Sequence, residues 1–132
     1  MRKLLIEQTA HSPRVIMDPE NSIFELSGES RPHNAMEFYE EIIEWLDEFA
    51  KHLSRFQGNN KPVVLNIDVE YFNSSSAKYL LDFFKRMANL RSKGTDVVIK
   101  WHYETNDLDM LEVGQEMSKL AKIPFEYLQK EN

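Results

Sequence analysis

Cysteine is absent from this chain of 132 residues, which excludes disulfide bonds, thiolate catalysis and thiolate metal sites. Glycine occurs only four times. No glycine stands in a G-x-G or P-loop context, so the sequence offers no phosphate cradle for a nucleotide. His11, His33 and His52 lie far apart and lack the spacing of metal ligands. We therefore expect neither a metal nor a cofactor.

Positive charge and long apolar runs are also scarce. The formal net charge is −6, which argues against a nucleic-acid partner, because phosphate backbones are bound by basic patches. The apolar run near the N-terminus breaks at Glu7, well short of a signal-peptide core. No other run approaches the roughly 20 apolar residues of a membrane span. We expect a protein that binds neither nucleic acid nor membrane and works in the cytoplasm.

The remaining pattern alternates strands and helices. Three short strands at residues 3–8, 14–17 and 22–27 are separated by turns, which predicts an antiparallel meander followed by a loop at residues 28–33. A helix capped by Asn34 runs to about residue 56 and ends at residues 58–60. A strand at 63–72, a helix at 75–91, a strand at 96–103, a helix at 108–122 capped by Asn106 or Asp107, and a strand at 125–129 follow.

This order predicts one α/β domain spanning residues 1–132. Strand–helix–strand units form right-handed crossovers to parallel neighbours, so we expect two layers: a mixed sheet with antiparallel N-terminal strands, and helices packed mainly on one face. Apolar residues 65, 67, 69 and 71 alternate with Asn66, Asp68 and Glu70, which indicates that the other face of the sheet is wet. In the last helix, Leu111, Met117, Leu120 and Ala121 are predicted to point inward.

The central strand runs directly into the second helix through Asn73, Ser74, Ser75 and Ser76. Such residues cap helix N-termini, because their side-chain oxygens accept unpaired backbone N–H groups. Capping alone is one explanation of this corner. The other is a modification site, because a phosphate here meets N–H donors and a favourable helix dipole. It would add about −1.5 to −2 charges near Asp68 and repel a docked partner.

Two further features each allow two interpretations. Asp68, Glu70 and His102 can meet on the wet sheet face, where a carboxylate and an imidazole can do acid–base chemistry. No catalytic motif accompanies them, so they are also explained as solvated polar residues.

Tyr79, Phe83 and Leu90 form a second apolar stripe on the second helix. This stripe indicates either packing on the third helix or a patch for a partner.

Three motifs carry a resemblance to a known family. They are Tyr71-Phe72-Asn73-Ser74-Ser75-Ser76, Trp101-His102-Tyr103 and Pro124-Phe125. Together they resemble the SiaC family of bacterial regulatory phosphoproteins, which carry Tyr-Leu-Asn-Thr-Ser-Ser at the matching place and Trp-His-Tyr after the next strand. The similarity covers most of the chain in the same element order.

The resemblance implies a STAS-like fold and a partner-switching role. A serine/threonine kinase would phosphorylate the corner hydroxyl, and a PP2C-type phosphatase would remove the phosphate. In one branch the unphosphorylated form binds and activates a GGDEF-domain diguanylate cyclase, promoting cyclic-di-GMP synthesis and biofilm formation. The family's phosphoacceptor aligns with Ser74, with Ser75 as second choice, and the downstream target stays open.

On this hypothesis the protein is not an enzyme. The predicted partner-binding residues are Asn73, Ser75, Ser76, Tyr79 and Phe83. The first three would also shape the corner, by capping the helix or holding the phosphate. The alternatives are a small enzyme using Asp68 and His102 on the open sheet face, and a STAS-type anti-sigma-factor antagonist.

Overall fold

The structure is a computed structural model that describes residues 1–55 and 61–130. The strands are β1 (Leu4–Ile6), β2 (Arg14–Asp18), β3 (Ile23–Ser30), β4 (Val63–Phe72), β5 (Val97–Glu104) and β6 (Phe125–Lys130). The helices are α1 (Ala35–Arg55), α2 (Ser74–Ser92) and α3 (Leu108–Ala121). The element order is the predicted one. The predicted helix stop at residues 58–60 lies outside the described residues.

The strands form one mixed sheet in the order β1-β2-β3-β4-β5-β6. β1, β2 and β3 pair antiparallel, whereas β3, β4, β5 and β6 pair parallel. Consecutive parallel strands are neighbours, and each pair is joined through one helix. α1 packs on α2, and α2 packs on α3. The predicted two-layer α/β arrangement is confirmed.

The core lies between the helices and one face of the sheet. Leu65, Ile67, Ile99 and Trp101 are buried on this face, while Asn66, Asp68, Lys100 and His102 on the other face are half-buried. The predicted alternation of β4 is therefore confirmed over most of its length, and β5 follows the same pattern. α1 has Tyr39, Ile42, Trp45, Leu46, Phe49 and Leu53 among its buried residues.

The alternation fails at the end of β4, where Tyr71 was predicted to point inward. Val69 pairs with Gly28, but Tyr71 pairs with Glu29, so β4 carries one extra residue at this point. Such a bulge reverses the side-chain alternation beyond it. Phe72 consequently packs on the core, and Tyr71 is 50% exposed.

The same pairing corrects the predicted loop at residues 28–33. β3 continues through the bulge to Ser30, because its parallel pairing with β4 resumes at Glu29. Gly28 adopts φ 108 there, a backbone conformation that residues with a Cβ rarely adopt.

Side-chain caps set the helix starts. Asn34 Oδ1 accepts the Glu37 N–H at 3.1 Å, as predicted for α1. Of the two candidate caps for α3, Asp107 is the one used: its Oδ1 accepts the Met110 N–H at 3.1 Å. The prediction that Leu120 points inward is wrong, because its side chain is 49% exposed.

Each of the three helices follows the carboxyl end of a parallel strand. The N-termini of α1, α2 and α3 therefore lie at one edge of the sheet, where the serine corner also lies. Among the described residues no helix is both long and apolar enough to span a bilayer.

Candidate functional site

The serine corner is a capped helix start. α2 begins at Ser74, one residue earlier than predicted. Asn73 is the N-cap, with extended backbone angles (φ −81, ψ 171). Its Oδ1 accepts the Ser76 N–H at 2.8 Å. The prediction that this polar run caps the helix is confirmed, and Asn73 supplies the capping oxygen.

The three serines have different surroundings. Ser74 and Ser75 are exposed, whereas Ser76 is fully buried. Successive residues of a helix point about 100° apart, so the three side chains leave the first turn in different directions. The side chains of Ser74 and Ser75 are accessible to solvent without unfolding the corner. Their role as phosphoacceptors remains a prediction.

A buried group of three hydroxyls lies beneath the corner. Ser30 Oγ is 2.5 Å from Tyr39 Oη and donates to Ser76 Oγ at 2.9 Å. Ser76 Oγ donates to the Ser30 carbonyl at 3.0 Å. The Asn73 N–H also donates to that carbonyl, at 3.0 Å. The end of β3, the first turn of α2 and α1 are thus joined by hydrogen bonds.

The sequence pattern does not mark Ser30 and Tyr39 as residues of the corner. Tyr39 lies on the apolar face of α1, so the sequence predicts that its ring is buried but does not show that its hydroxyl has a buried partner. Ser30 falls in the stretch predicted to be a loop. Burial raises the pKa of Tyr39 to about 12, so its phenol stays protonated at neutral pH and remains able to donate.

Two predicted partner contacts are corrected by the structure. Phe83 is 3% exposed and belongs to the core, as does Leu90 of the same stripe. Ser76 is 0% exposed, because its hydroxyl is used inside. Neither side chain can touch a partner in this conformation, although Ser76 does shape the corner as predicted.

Tyr79 is half-buried and lies one turn beyond Ser75. Its ring stacks on Tyr39, with centroids 6.1 Å apart and planes 7° apart. The Lys78 Nζ lies 5.7 Å from the centroid of the Tyr79 ring. Tyr79 therefore connects the surface of α2 to the buried hydroxyl group.

The surface around the corner combines a concavity with exposed apolar side chains. The concavity lies between the starts of α1 and α2 and is lined by His33, Asn34, Ala35, Met36, Ser75, Lys78 and Tyr79. Met36 is 56% exposed, and Tyr71, two residues before Asn73, is 50% exposed. Exposed apolar side chains beside polar ones are typical of protein-binding surfaces.

Asp68 and His102 each have a hydrogen-bond partner other than one another. The Lys130 Nζ donates to Asp68 Oδ1 at 2.7 Å, and this contact raises the pKa of Lys130. The His102 Nε2 lies 2.9 Å from Asn66 Oδ1. Both side chains line an open concavity of the uncovered sheet face. Within residues 1–55 and 61–130 no cluster of His, Asp and Glu has the arrangement of a metal site.

A family model described as SiaC family regulatory phosphoprotein matches residues 6–130. This chain belongs to the SiaC family. The match covers almost the whole chain, including every strand and helix from the end of β1 onward. Membership in a family of regulatory phosphoproteins agrees with the resemblance drawn from the three motifs.

Relatives come from Pseudomonas aeruginosa. An uncharacterized protein of strain UCBPP-PA14 is 25% identical over 125 residues, which are 95% of this chain and 94% of that protein. The structure of SiaC superposes with a TM-score of 0.83 at 24% identity, covering 98% of this chain and 100% of the other.

A third comparison involves a complex. SiaC, bound as the activator of the diguanylate cyclase SiaD, matches with a TM-score of 0.83 at 23% identity, covering 96% of this chain and 99% of that chain. These likenesses show that the fold is the one found in SiaC.

Proposed function

We propose that this chain is a non-enzymatic, phosphorylation-switched regulator that binds and activates a diguanylate cyclase. The unphosphorylated form binds the cyclase through the corner surface. A serine/threonine kinase phosphorylates Ser74 and releases the cyclase, and a PP2C-type phosphatase restores binding. The switch operates as a single domain of residues 1–132 in the cytoplasm. The observation that carries the proposal is an exposed Ser74 at the start of α2 in a member of this phosphoprotein family.

The first turn of α2 supports a phosphate at this position. The Asn73 N–H donates to Ser30, and the Ser76 N–H is capped by Asn73. Among the described residues, the N–H groups of Ser74 and Ser75 have no acceptor in this turn. Free N–H groups and the positive end of the helix dipole favour an anion. A phosphate on Ser74 therefore gains local stabilisation without refolding the corner.

The same phosphate opposes a partner. The chain carries a net charge of −6, and the exposed Glu70 lies near the corner. Met36 lines the concavity beside Ser75, and the exposed Tyr71 precedes Asn73 by two residues, so a partner that covers them removes water from the corner. Burying a doubly charged phosphate without a matched cation is strongly unfavourable. Phosphorylation thus weakens docking by desolvation and by repulsion.

The proposed partner-binding residues are Asn73, Ser75 and Tyr79. Ser75 is the alternative phosphoacceptor, because it is exposed and lines the concavity between α1 and α2. A phosphate on Ser75 would lie in that concavity with Lys78. Phosphopeptide mapping distinguishes the two serines, because they are consecutive in one peptide and fragment into different ions.

The test measures cyclase activation by purified protein. Ser74→Ala is expected to activate a diguanylate cyclase from the same organism as well as the wild type does, and Ser74→Asp is expected to fail. Gln115→Ala, an exposed change on α3, serves as the matched control. Cyclic-di-GMP production and co-purification report activation and binding. Equal activation by Ser74→Asp and Ser74→Ala, or cellular phosphate elsewhere with Ser74 unmodified, would refute the assignment.

A further inference from the structure

The three hydroxyls beneath the corner form a chain with one direction. Each hydroxyl has a single proton. The Ser76 proton goes to the Ser30 carbonyl, and the Ser30 proton goes to Ser76 Oγ. The remaining contact, between Tyr39 Oη and Ser30 Oγ, therefore has Tyr39 as its donor. The order of donation is Tyr39 to Ser30 to Ser76, ending on the Ser30 carbonyl.

This carbonyl is also the anchor of the helix cap. It accepts the Asn73 N–H at 3.0 Å as well as the Ser76 hydroxyl at 3.0 Å. Asn73 in turn caps the Ser76 N–H. The backbone on both sides of Ser74 is thus fixed to the last residue of β3, and no buried side-chain N or O among the described residues lacks a partner.

Tyr39 cannot act on a partner directly. Its side chain is 1% exposed and lies inside the core on α1. Its two routes to the corner are the hydroxyl chain and the stack on Tyr79. Removing only the hydroxyl leaves the stacked ring in place and breaks the first link of the chain.

We propose that Tyr39 and Ser30 are positioning residues for the phosphorylation switch, because their hydroxyls hold the corner in the one arrangement that presents Ser74 to a kinase. The inference rests on the proposed function and names residues that set its geometry. Ser76, the third residue of the hydroxyl chain, stays buried, so the phosphate is added to a serine that faces solvent.

The test compares Tyr39→Phe and Ser30→Ala with the wild type. Tyr127→Phe is the matched control, because it removes a phenol hydroxyl from a half-buried tyrosine on β6. Amide hydrogen exchange is measured by NMR at Asn73 and Ser76 in the corner and at Met117 in α3. Intact-mass and phosphopeptide analysis of each variant, produced in the native cell, measures the phosphate occupancy of Ser74.

In both positioning variants, the amide hydrogens of Asn73 and Ser76 are expected to exchange about tenfold faster than in the wild type. The exchange rate at Met117 is expected to change by less than about twofold. Phosphate occupancy of Ser74 is expected to fall by about fivefold, since a displaced acceptor loses transfer efficiency. Tyr127→Phe is expected to match the wild type in both measurements.

Corner exchange within about twofold of the wild type would overturn the inference. An equal rise at Met117 would also overturn it, because the hydroxyls would then contribute only to global stability. Faster corner exchange with unchanged Ser74 occupancy would show a structural role alone and count against positioning. If no variant, including the wild type, carries phosphate on Ser74, the proposed function fails, while the exchange data still report whether the chain holds the corner.

Discussion

Replacing Gly114 by alanine tests how tightly α3 packs on the sheet. A Cβ at this position would lie 2.6 Å from Trp101 Nε1 and 2.7 Å from Trp101 Cδ1 and Cε2. Trp101 is fully buried, and its Nε1–H donates to the Met110 carbonyl at 3.0 Å. The rings of Phe72, Phe84 and Phe125 pack around the indole. We therefore expect α3 to shift, and because the Met110 carbonyl lies on α3, the shift also breaks its hydrogen bond with Trp101.

The expected change in the free energy of unfolding combines two destabilising contributions and one stabilising contribution. Overpacking a close contact costs about 1–3 kcal/mol. An indole N–H left buried without an acceptor costs about 1–3 kcal/mol. The higher helix propensity of alanine returns about 1 kcal/mol. Gly114→Ala is therefore expected to lower the free energy of unfolding by about 3 kcal/mol.

Urea unfolding followed by tryptophan fluorescence measures this loss. The denaturation midpoint should fall with an unchanged slope, because the same surface is exposed on unfolding. Gln115→Ala, the exposed neighbour on α3, should stay within about 0.5 kcal/mol of the wild type. A Gly114→Ala protein as stable as the wild type would refute the packing argument.

Three further predictions concern the corner and the open sheet face. Asn73→Ala removes the cap on the Ser76 N–H and should cost about 1 kcal/mol in thermal unfolding. The pKa of Tyr39 is raised from 10 to about 12. The stabilisation of the folded state by its protonated phenol is therefore fully present below pH 10 and is lost as the pH rises toward 12. The free energy of unfolding should therefore fall by up to about 2.7 kcal/mol over this interval, and Tyr39→Phe should remove that part of the pH dependence in urea titrations. Lys130→Gln breaks the partly exposed pair with Asp68 and should cost less than about 1 kcal/mol, with a smaller loss in high salt.

The element order was predictable from local sequence, because the strand and helix periods and the polar caps depend on neighbouring residues. Asn34 and Asn73 cap α1 and α2 as expected. The N-terminal meander and the parallel crossovers followed from turn spacing and the handedness of strand–helix–strand units.

The errors arose where side chains depend on distant partners. Tyr71 faces outward because of a bulge in the pairing of β3 with β4, and no periodic signal within β4 marks it. Phe83 belongs to the core, although its stripe on α2 is also consistent with an exposed patch. The Lys130 contact with Asp68 joins residues 62 positions apart, so the sequence alone does not show that the Asp68 carboxylate has a cationic partner.

The motifs that carried the family resemblance belong to one packed unit. Trp101 stacks on Phe125, with centroids 5.7 Å apart, and meets Phe72 edge-on at 6.3 Å. Phe72 immediately precedes Asn73. The Trp-His-Tyr and Pro-Phe motifs thus place an aromatic cluster under the strand that leads into the corner.

Helix geometry, together with the hydrogen bonds to Ser30, gives adjacent serines of the corner different surroundings. Ser76 turns inward, where it exchanges hydrogen bonds with Ser30. Ser74 and Ser75, about 100° apart around the helix, remain exposed. Under the proposed function, the buried hydroxyl of Ser76 fixes the orientation of the first turn, so that a phosphate on Ser74 would lie at a defined place on the docking surface. We therefore expect the proposed switch at Ser74 to depend on the buried Ser76.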